Sequence, residues 1–307
     1  MNEPKVSIIV PIHNGKEYTL RFLSSIKELN YSNYEVIIID DGSTDGSADS
    51  IKELFPDTII LKGDGDFWWA KSMNVGVEYA LKNSTDYILT LNNDNEVCKE
   101  IINAHLECSK KFPDAILGSI VFDKKNPDRI LNGGGKKNYL FPPNFNFLPF
   151  GKDNNKLYQH SREVDAIAGM GTFIPVKVFK EIGLYNHEVL PQYQSCIEHT
   201  LRAQKYGYKL IFNPAAKLWN NAESSWFFPK KINPQSIKDL LFHKKSGYLL
   251  KAQFYMYSNY WPKFIWVIPF SLLYIKCIAG IILYALPCGD TLINLLRKSN
   301  FILKKSC

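Results

Sequence analysis

The sequence predicts an α/β fold, a mostly parallel sheet flanked by helices, followed by a helical apolar tail. Short runs that are almost wholly apolar, such as VSIIV at 6–10 and VIII at 36–39, carry the first part of this expectation. They alternate with stretches whose apolar residues recur at helical spacing. Strands apolar on both faces belong to parallel sheets covered by helices on either side. Each run also ends in a polar cluster rich in Gly, Asn or Asp, the composition of a strand-to-helix turn.

In chain order, Lys5–Pro11 reads as the first strand, closed by proline. His13-Asn14-Gly15 turns into a helix over Glu17–Leu29, with a stripe at Leu20, Leu23, Ile26 and Leu29. Tyr34–Asp40 is the second strand, and the polar run to Ser47 caps a helix reaching Phe55, with Ser43 or Thr44 as N-cap. Thr58–Leu61 is the third strand, followed by Gly63-Asp64-Gly65-Asp66-Phe67-Trp68-Trp69 and a helix to Lys82. Gly63 and Gly65 do not make a dinucleotide fingerprint, because Phe67-Trp68 stands where a third glycine is needed. Tyr87–Leu91 is the fourth strand, then come a helix over Lys99–Phe112 and a fifth strand, Ala115–Phe122. Gly, Pro and Asn around Asn132–Gly135 and Phe141–Gly151 predict a hairpin or long loop. Beyond them lie a helix over Val176–Ile182 and, within Leu190–Tyr208, a loop and a helix stopped by Gly207. A last strand, Lys209–Phe212, leads to a polar loop over Trp219–Ser225.

The fourth strand organises the rest. It ends in Asn92-Asn93-Asp94-Asn95, one carboxylate among amides at the carboxyl edge of the sheet, where open α/β sheets bind ligands. Oxygen ligands there suit a hard divalent cation and the phosphates it carries. A turn whose Asn and Asp merely cap a helix is the competing reading.

At 307 residues, 46% hydrophobic and 22% charged, the chain is long enough for one large folded domain or two. The cysteines at 98, 108, 196, 277, 288 and 307 show neither paired nor ligand-like spacing, which points to reduced thiols in a cytosolic compartment. The first apolar run is too short for a signal sequence, so the catalytic mass is expected to stay cytoplasmic. Charge is uneven: residues 226–307 hold 12 Lys and Arg against two Asp, a net of +10, while the first 225 hold 25 against 28, a net of −3. A basic, apolar tail points to an anionic membrane surface. It does not point to nucleic acid, because its aromatics sit inside apolar runs rather than between basic residues.

Within the tail, Phe264–Leu286 is 23 residues long with Lys276 as its one charge and Pro269 as its one proline. That length suffices to span a bilayer, with Tyr260-Trp261 and Lys263 as an interfacial anchor. Lys276 and Pro269 argue instead for two shorter in-plane helices, and packing on the body of the protein is a third outcome. Arg297-Lys298 and Lys304-Lys305 would hold the tail to anionic lipid.

Ordered blocks in residues 1–225 resemble family 2 glycosyltransferases of the GT-A (Rossmann-like) fold, in the rhamnosyltransferase-like branch. They are VSIIVPIHNG at 6–15, EVIIIDDGSTDGS at 35–47, GDGDFWWAKSMNVGV at 63–77, ILTLNNDNEV at 88–97, VDAIAGMGTFIP at 164–175 and LPQYQSCIEHTLRAQKYGYKL at 190–210. The resemblance implies a donor half over about 1–122, an acceptor half over about 123–225, and a membrane-associated tail over 226–307. It implies a dTDP- or UDP-sugar donor, a glycan or lipid-linked acceptor at the cytoplasmic face, and inverting transfer. Pro11, His13 and Asp41 would border base and ribose, Asp40 and Ser43 would shape that wall, and Trp68 and Asn74 would line the donor pocket. Asp94, last in the DxD-type motif whose first positions are Asn92 and Asn93, would ligate Mg²⁺ or Mn²⁺ on the diphosphate.

The chain departs from the family at chemical positions. Counting back from Leu201-Arg202, the aspartate that deprotonates the acceptor falls on Cys196, with Glu198 at the second acid. A thiol is a poor stand-in for a carboxylate base. Glu198 taking over the base, a thiol nucleophile served by His199, and an impaired relative that only binds are the alternatives. Asn220 replaces a histidine that the family often places near the metal, and Ala70-Lys71-Ser72 replaces small glycine-rich residues, with Lys71 in reach of a diphosphate.

Overall fold

The computed structural model describes residues 3–137, 145–147, 159–221 and 233–285. The chain divides into two compact units, Met1–Lys136 with Phe147–Ala222, and Lys137–Asn146 with Glu223–Cys307. Every candidate site residue named above belongs to the first unit.

The apolar runs become strands and the striped stretches become helices, alternating from the N-terminus: β1 (Val6–Ile12), α1 (Lys16–Ile26), β2 (Tyr34–Asp40), α2 (Ser47–Leu54), β3 (Ile59–Lys62), α3 (Trp68–Lys82) and β4 (Tyr87–Thr90). There follow β5 (Glu96–Val97), α4 (Ile101–Lys111), β6 (Ile116–Asp123), β7 (Asn126–Asn132), β8 (Gly135–Lys137), β9 (Phe145–Phe147) and β10 (Arg162–Glu163). Then come β11 (Thr172–Pro175), α5 (Val176–Ile182), α6 (Ser195–Lys205) and β12 (Leu210–Asn220). The main sheet runs β10-β12-β6-β11-β4-β1-β2-β3, with β5 on β12 and β7 on β6. β1 to β4 are mutually parallel where they pair. β11 enters antiparallel between β4 and β6, and β12 is parallel to β6. With β2 on one side of β1 and β4 on the other, a crevice opens at the carboxyl ends of β1 and β4, the place for a ligand in such sheets.

Successive side chains of β1 enter opposite layers. Ile8 and Val10 pack with Phe22, Leu23 and Ile26 of α1, while Ile9 packs with Met73 and Val77 of α3. This two-sided burial is why the strand carries no apolar–polar alternation. α3 approaches the sheet through Gly76, where an added Cβ would lie 2.5 Å from Ile9 Cγ2 and 2.8 Å from Ile39 Cδ1. Gly76→Val is therefore expected to cost about 1–3 kcal/mol, read as a lower urea midpoint at unchanged slope.

Two expected boundaries move. α2 starts at Ser47 with Gly46 at φ 77° as N-cap, not at Ser43 or Thr44. Those residues instead lash the first two loops together: Asn14 N donates to Ser43 Oγ at 2.8 Å and Thr44 N to Asn14 Oδ1 at 2.9 Å. The last strand runs on to Asn220, so Trp219 and Asn220 are paired strand residues rather than loop, with Trp219 opposite Glu96. Most of the predicted loop at 141–151 and residues 222–225 lie outside the described residues.

The second unit holds α7 (Pro234–Phe242), α8 (Leu250–Tyr260) and α9 (Val267–Ala285). Asn233 and Ser236 close a capping box on α7 ahead of Pro234. Pro269 does not split the apolar segment. It occupies the first turn of α9, where backbone N–H groups lack helical partners in any case. Among the described residues, no helix is long and apolar enough to cross a membrane. The basic pairs at 297–298 and 304–305 lie outside them.

Candidate functional site

Four loops meet at the carboxyl edge of β1 to β4. His13 follows β1, and its Nδ1 lies 2.6 Å from the Asp41 carbonyl oxygen. A carbonyl only accepts, so this nitrogen carries the proton, which leaves Nε2 of the exposed ring for a ligand. Asp40, buried at the end of β2, takes Ser43 N at 2.9 Å, and Asp45 takes Lys16 N at 2.8 Å. Pro11 is half-buried one residue before the end of β1.

Asp41 organises the third loop. Its Oδ1 accepts from Gly65 N at 2.8 Å, and its Oδ2 from Phe67 N at 2.9 Å and Trp68 N at 3.1 Å. Three backbone donors on one buried carboxylate make it a clamp on the 65–68 loop. The clamp holds Trp68 at φ 58°, a left-handed conformation costly for a bulky residue, and the indole Nε1 donates to Asp66 Oδ1 at 2.7 Å. Lys71 is drawn onto the same loop, 3.5 Å from Asp64 Oδ2 and 4.0 Å above the Phe67 ring.

The turn after β4 sorts its four polar side chains. Asn92 Oδ1 accepts from Trp69 Nε1 at 3.2 Å, Asn93 Nδ2 donates to Thr19 Oγ1 at 3.0 Å, and Asn95 Oδ1 accepts from Asn92 N at 2.8 Å. Asp94 is left, with one long bond of 3.4 Å from Asn95 Nδ2. Burial pushes its carboxyl above the usual carboxylate range, against weaker pulls from its own backbone N–H and Lys124. Lys124 Nζ itself binds the Asp94 backbone oxygen at 2.9 Å. Asn220 stands beside this turn, its Nδ2 2.8 Å from the Met170 sulfur, which Asn95 Nδ2 also approaches at 3.7 Å.

α6 brings up the opposite wall. Glu198 is buried, and both its oxygens hold Arg202, Oε1 at 3.1 Å from Nε and Oε2 at 3.2 Å from a terminal nitrogen. The same guanidinium donates to the carbonyls of Ile182 and Leu184. Glu198 therefore acts on the fold of the 182–184 turn. His199 stacks on Phe179 and packs at a tilt against Tyr185, with Nε2 3.1 Å from Gly183 O. Burial takes its pKa down to about 3, and its Nδ1 has no hydrogen-bond partner, so it does not activate Cys196. Burial pushes the Cys196 thiol up to about 11, which favours its protonated form. A thiol held in that form is a weak nucleophile and a weak base.

Residues 7–179 match the family model described as glycosyl transferase family 2. The chain belongs to this family. A protein of Rickettsia felis described as an uncharacterized glycosyltransferase is 29% identical over 197 residues, which is 62% of this chain and 30% of the relative. The chain thus spans less than a third of that relative. Poly-beta-1,6-N-acetyl-D-glucosamine synthase of Staphylococcus epidermidis is 23% identical over 223 residues, covering 70% of this chain and 49% of that protein. The solved structure of GalNAc-T7 with UDP, GalNAc and Mn²⁺ aligns with a TM-score of 0.59 at 18% identity, over 72% of this chain and 44% of that one. That likeness shows the fold, the GT-A arrangement expected from the motifs.

For a family 2 chain, the geometry adds residues that motif reading passed over. Trp69, rather than Trp68, sits at the junction of the two walls. Its indole meets Asn92, its ring packs edge-on to Tyr185 at 5.3 Å, and its backbone N donates to Gln192 Oε1 at 3.1 Å. Gly169 completes the junction, since a Cβ there would lie 2.8 Å from the Trp69 ring and 3.2 Å from Cys196 Cβ. Asn74 does not present a free amide to the pocket. It staples the 185–187 turn, with Oδ1 on Tyr185 N at 2.9 Å and Nδ2 on Tyr185 O at 2.9 Å and His187 Nδ1 at 3.2 Å.

Among the described residues, no group of three or more His, Cys, Asp or Glu could hold a metal ion. Asp94, partly desolvated and without an ion pair among the described residues, is the carboxylate here that would hold a divalent cation, which would supply positive charge to the phosphates of a bound donor.

Proposed function

We propose that this chain transfers a sugar from a dTDP- or UDP-sugar to a surface-polysaccharide or lipid-linked acceptor, with inversion, at the cytoplasmic face of the membrane. The observation that carries the reading is Asp94. Asp94 is half-buried among turn neighbours that are all engaged, with only a weak pull from Lys124 on its charge, an arrangement that scaffold stability alone does not call for. A Mg²⁺ or Mn²⁺ ion held by Asp94 would offset the charge that gathers on the leaving nucleoside diphosphate. His13, Pro11 and the wall set by Asp40, Asp41 and Ser43 hold the nucleoside, and Trp68 with the Asn92–Asn93 turn fixes the diphosphate end. Trp69 and Gly169 set the width between donor and the Cys196 wall. UDP and Mn²⁺ with GalNAc-T7, and polysaccharide synthesis by the Staphylococcus epidermidis relative, support the donor and acceptor classes. Rhamnose is the sugar to which the branch resemblance points.

The protonated thiol of Cys196 supports a second reading, a relative that binds donor within an assembly complex and turns it over poorly. Incubation of the chain with dTDP- and UDP-sugars and Mn²⁺, following sugar incorporation into lipid extract and surface polysaccharide, separates the two. Incorporation abolished by EDTA is expected. Metal-dependent donor binding with no incorporation into either fraction would favour the binding subunit.

A further inference from the structure

α9 is mostly apolar, with Ser271 and Lys276 as its strongly polar side chains, yet only one side is covered. Leu273 and Cys277 are buried, whereas Val267, Ile268, Ile275, Ile278 and Ile282 are between 47% and 59% exposed. At 100° per residue, these five occupy an arc about 100° wide, roughly opposite the buried pair, with the exposed Ser271 inside it. Phe264, just ahead of the helix, is 90% exposed. An exposed apolar ridge of this kind, interrupted by a single serine, marks an interaction site.

We propose that this arc lies in the plane of an anionic bilayer and seats the chain on the membrane that carries its acceptor. The inference rests on the membrane reading above and assigns it a surface. Charge selects the occupant. Lys238, Lys244, Lys245, Lys251 and Lys263 are exposed on the same unit, and Asp239 is the one acidic side chain among its described residues. Such a balance repels a second copy and attracts phosphatidylglycerol headgroups. Lys263 directly precedes the exposed Phe264 and Ile265, and Phe254, itself 52% exposed, packs edge-on to Trp266 at 5.4 Å. This places ammonium, indole and apolar ridge at one end of α9, the order found at a membrane interface. Lys276 sits on the flank between the exposed and buried arcs. An in-plane helix, its apolar face about 5–10 Å deep, keeps that ammonium at the headgroups, where a spanning helix would draw it to the bilayer centre.

The test is flotation of the full chain with vesicles of phosphatidylcholine alone and of phosphatidylcholine with phosphatidylglycerol. Wild type is expected to float with the anionic vesicles and to release in high salt. Ile275→Glu with Ile278→Glu, both surface changes that leave the core intact, is expected to weaken binding at least about tenfold with an unchanged circular dichroism spectrum. Lys244→Glu with Lys245→Glu is expected to weaken it on anionic vesicles. Equal flotation of wild type and the isoleucine variant would overturn the assigned surface while leaving membrane binding in place. Wild type that floats with neither vesicle would overturn the membrane reading itself, and a dimer dissolved by the isoleucine variant would give the arc to a second copy.

Discussion

Asp94→Asn is expected to abolish Mn²⁺-dependent UDP binding and to lower nucleotide-sugar turnover by about a thousandfold or more. A thousandfold corresponds to about 4 kcal/mol of transition-state stabilisation, the scale of a metal offsetting charge on a leaving group. The same change should make the metal-free protein more stable. Burial raises the Asp94 carboxyl pKa, so its charged form is disfavoured in the folded state. The resulting cost is present above the folded pKa and is lost as pH falls below the ordinary carboxylate value. Asn removes that cost, so the gain in melting temperature should be largest near neutral pH and fade in acid. Thermal melts across pH, beside titration calorimetry of UDP with and without Mn²⁺, check both halves. A destabilised variant that still binds UDP in a metal-dependent way would remove Asp94 from the donor site.

Glu198→Ala is expected to cost about 3–5 kcal/mol of folding stability, because it strands the Arg202 guanidinium beside a buried position. Arg202 also holds the Ile182 and Leu184 carbonyls, so the loss extends to the 182–184 turn, next to the segment that Asn74 staples. Glu198→Gln should be milder, retaining part of the hydrogen bonding. Urea denaturation and turnover, measured on both variants, should fall together. A Gln variant with wild-type stability and turnover lowered by about 10²–10⁴ would instead identify Glu198 as the base.

Much of the sheet's N-terminal half was legible because its physics is local. Apolar runs in β1, β2 and β4, and the polar clusters that end them, follow from burial on both faces and from turn chemistry. The i, i+4 spacing of Glu198 and Arg202 permits their ion pair, but the motif points to Glu198 as an acid at the acceptor instead. What escaped depends on contacts distant in sequence. β12 was read short because the register shifts between Asn213 and Lys217, across Pro214, and the apolar run breaks there. The antiparallel entry of β11 between β4 and β6 depends on the Gly171 turn, at φ 68°, which no periodicity encodes. Trp68 and Trp69 are adjacent and alike in sequence. Only the left-handed backbone at Trp68, imposed by Asp41, sends one indole to Asp66 and the other to Asn92. The role of Asp41 itself is hidden for the same reason, since its partners lie 24 to 27 residues on.

The central claim is that an intact donor site faces a wall where a protonated thiol stands at the position of the base. The direct measurement is nucleoside-diphosphate release from a panel of dTDP- and UDP-sugars, in Mn²⁺ or EDTA, by wild type beside Cys196→Asp. The account predicts release in Mn²⁺ that EDTA abolishes, and a faster rate in Cys196→Asp once a carboxylate replaces the thiol. Release indifferent to EDTA, or silence from both proteins across the panel, would contradict it.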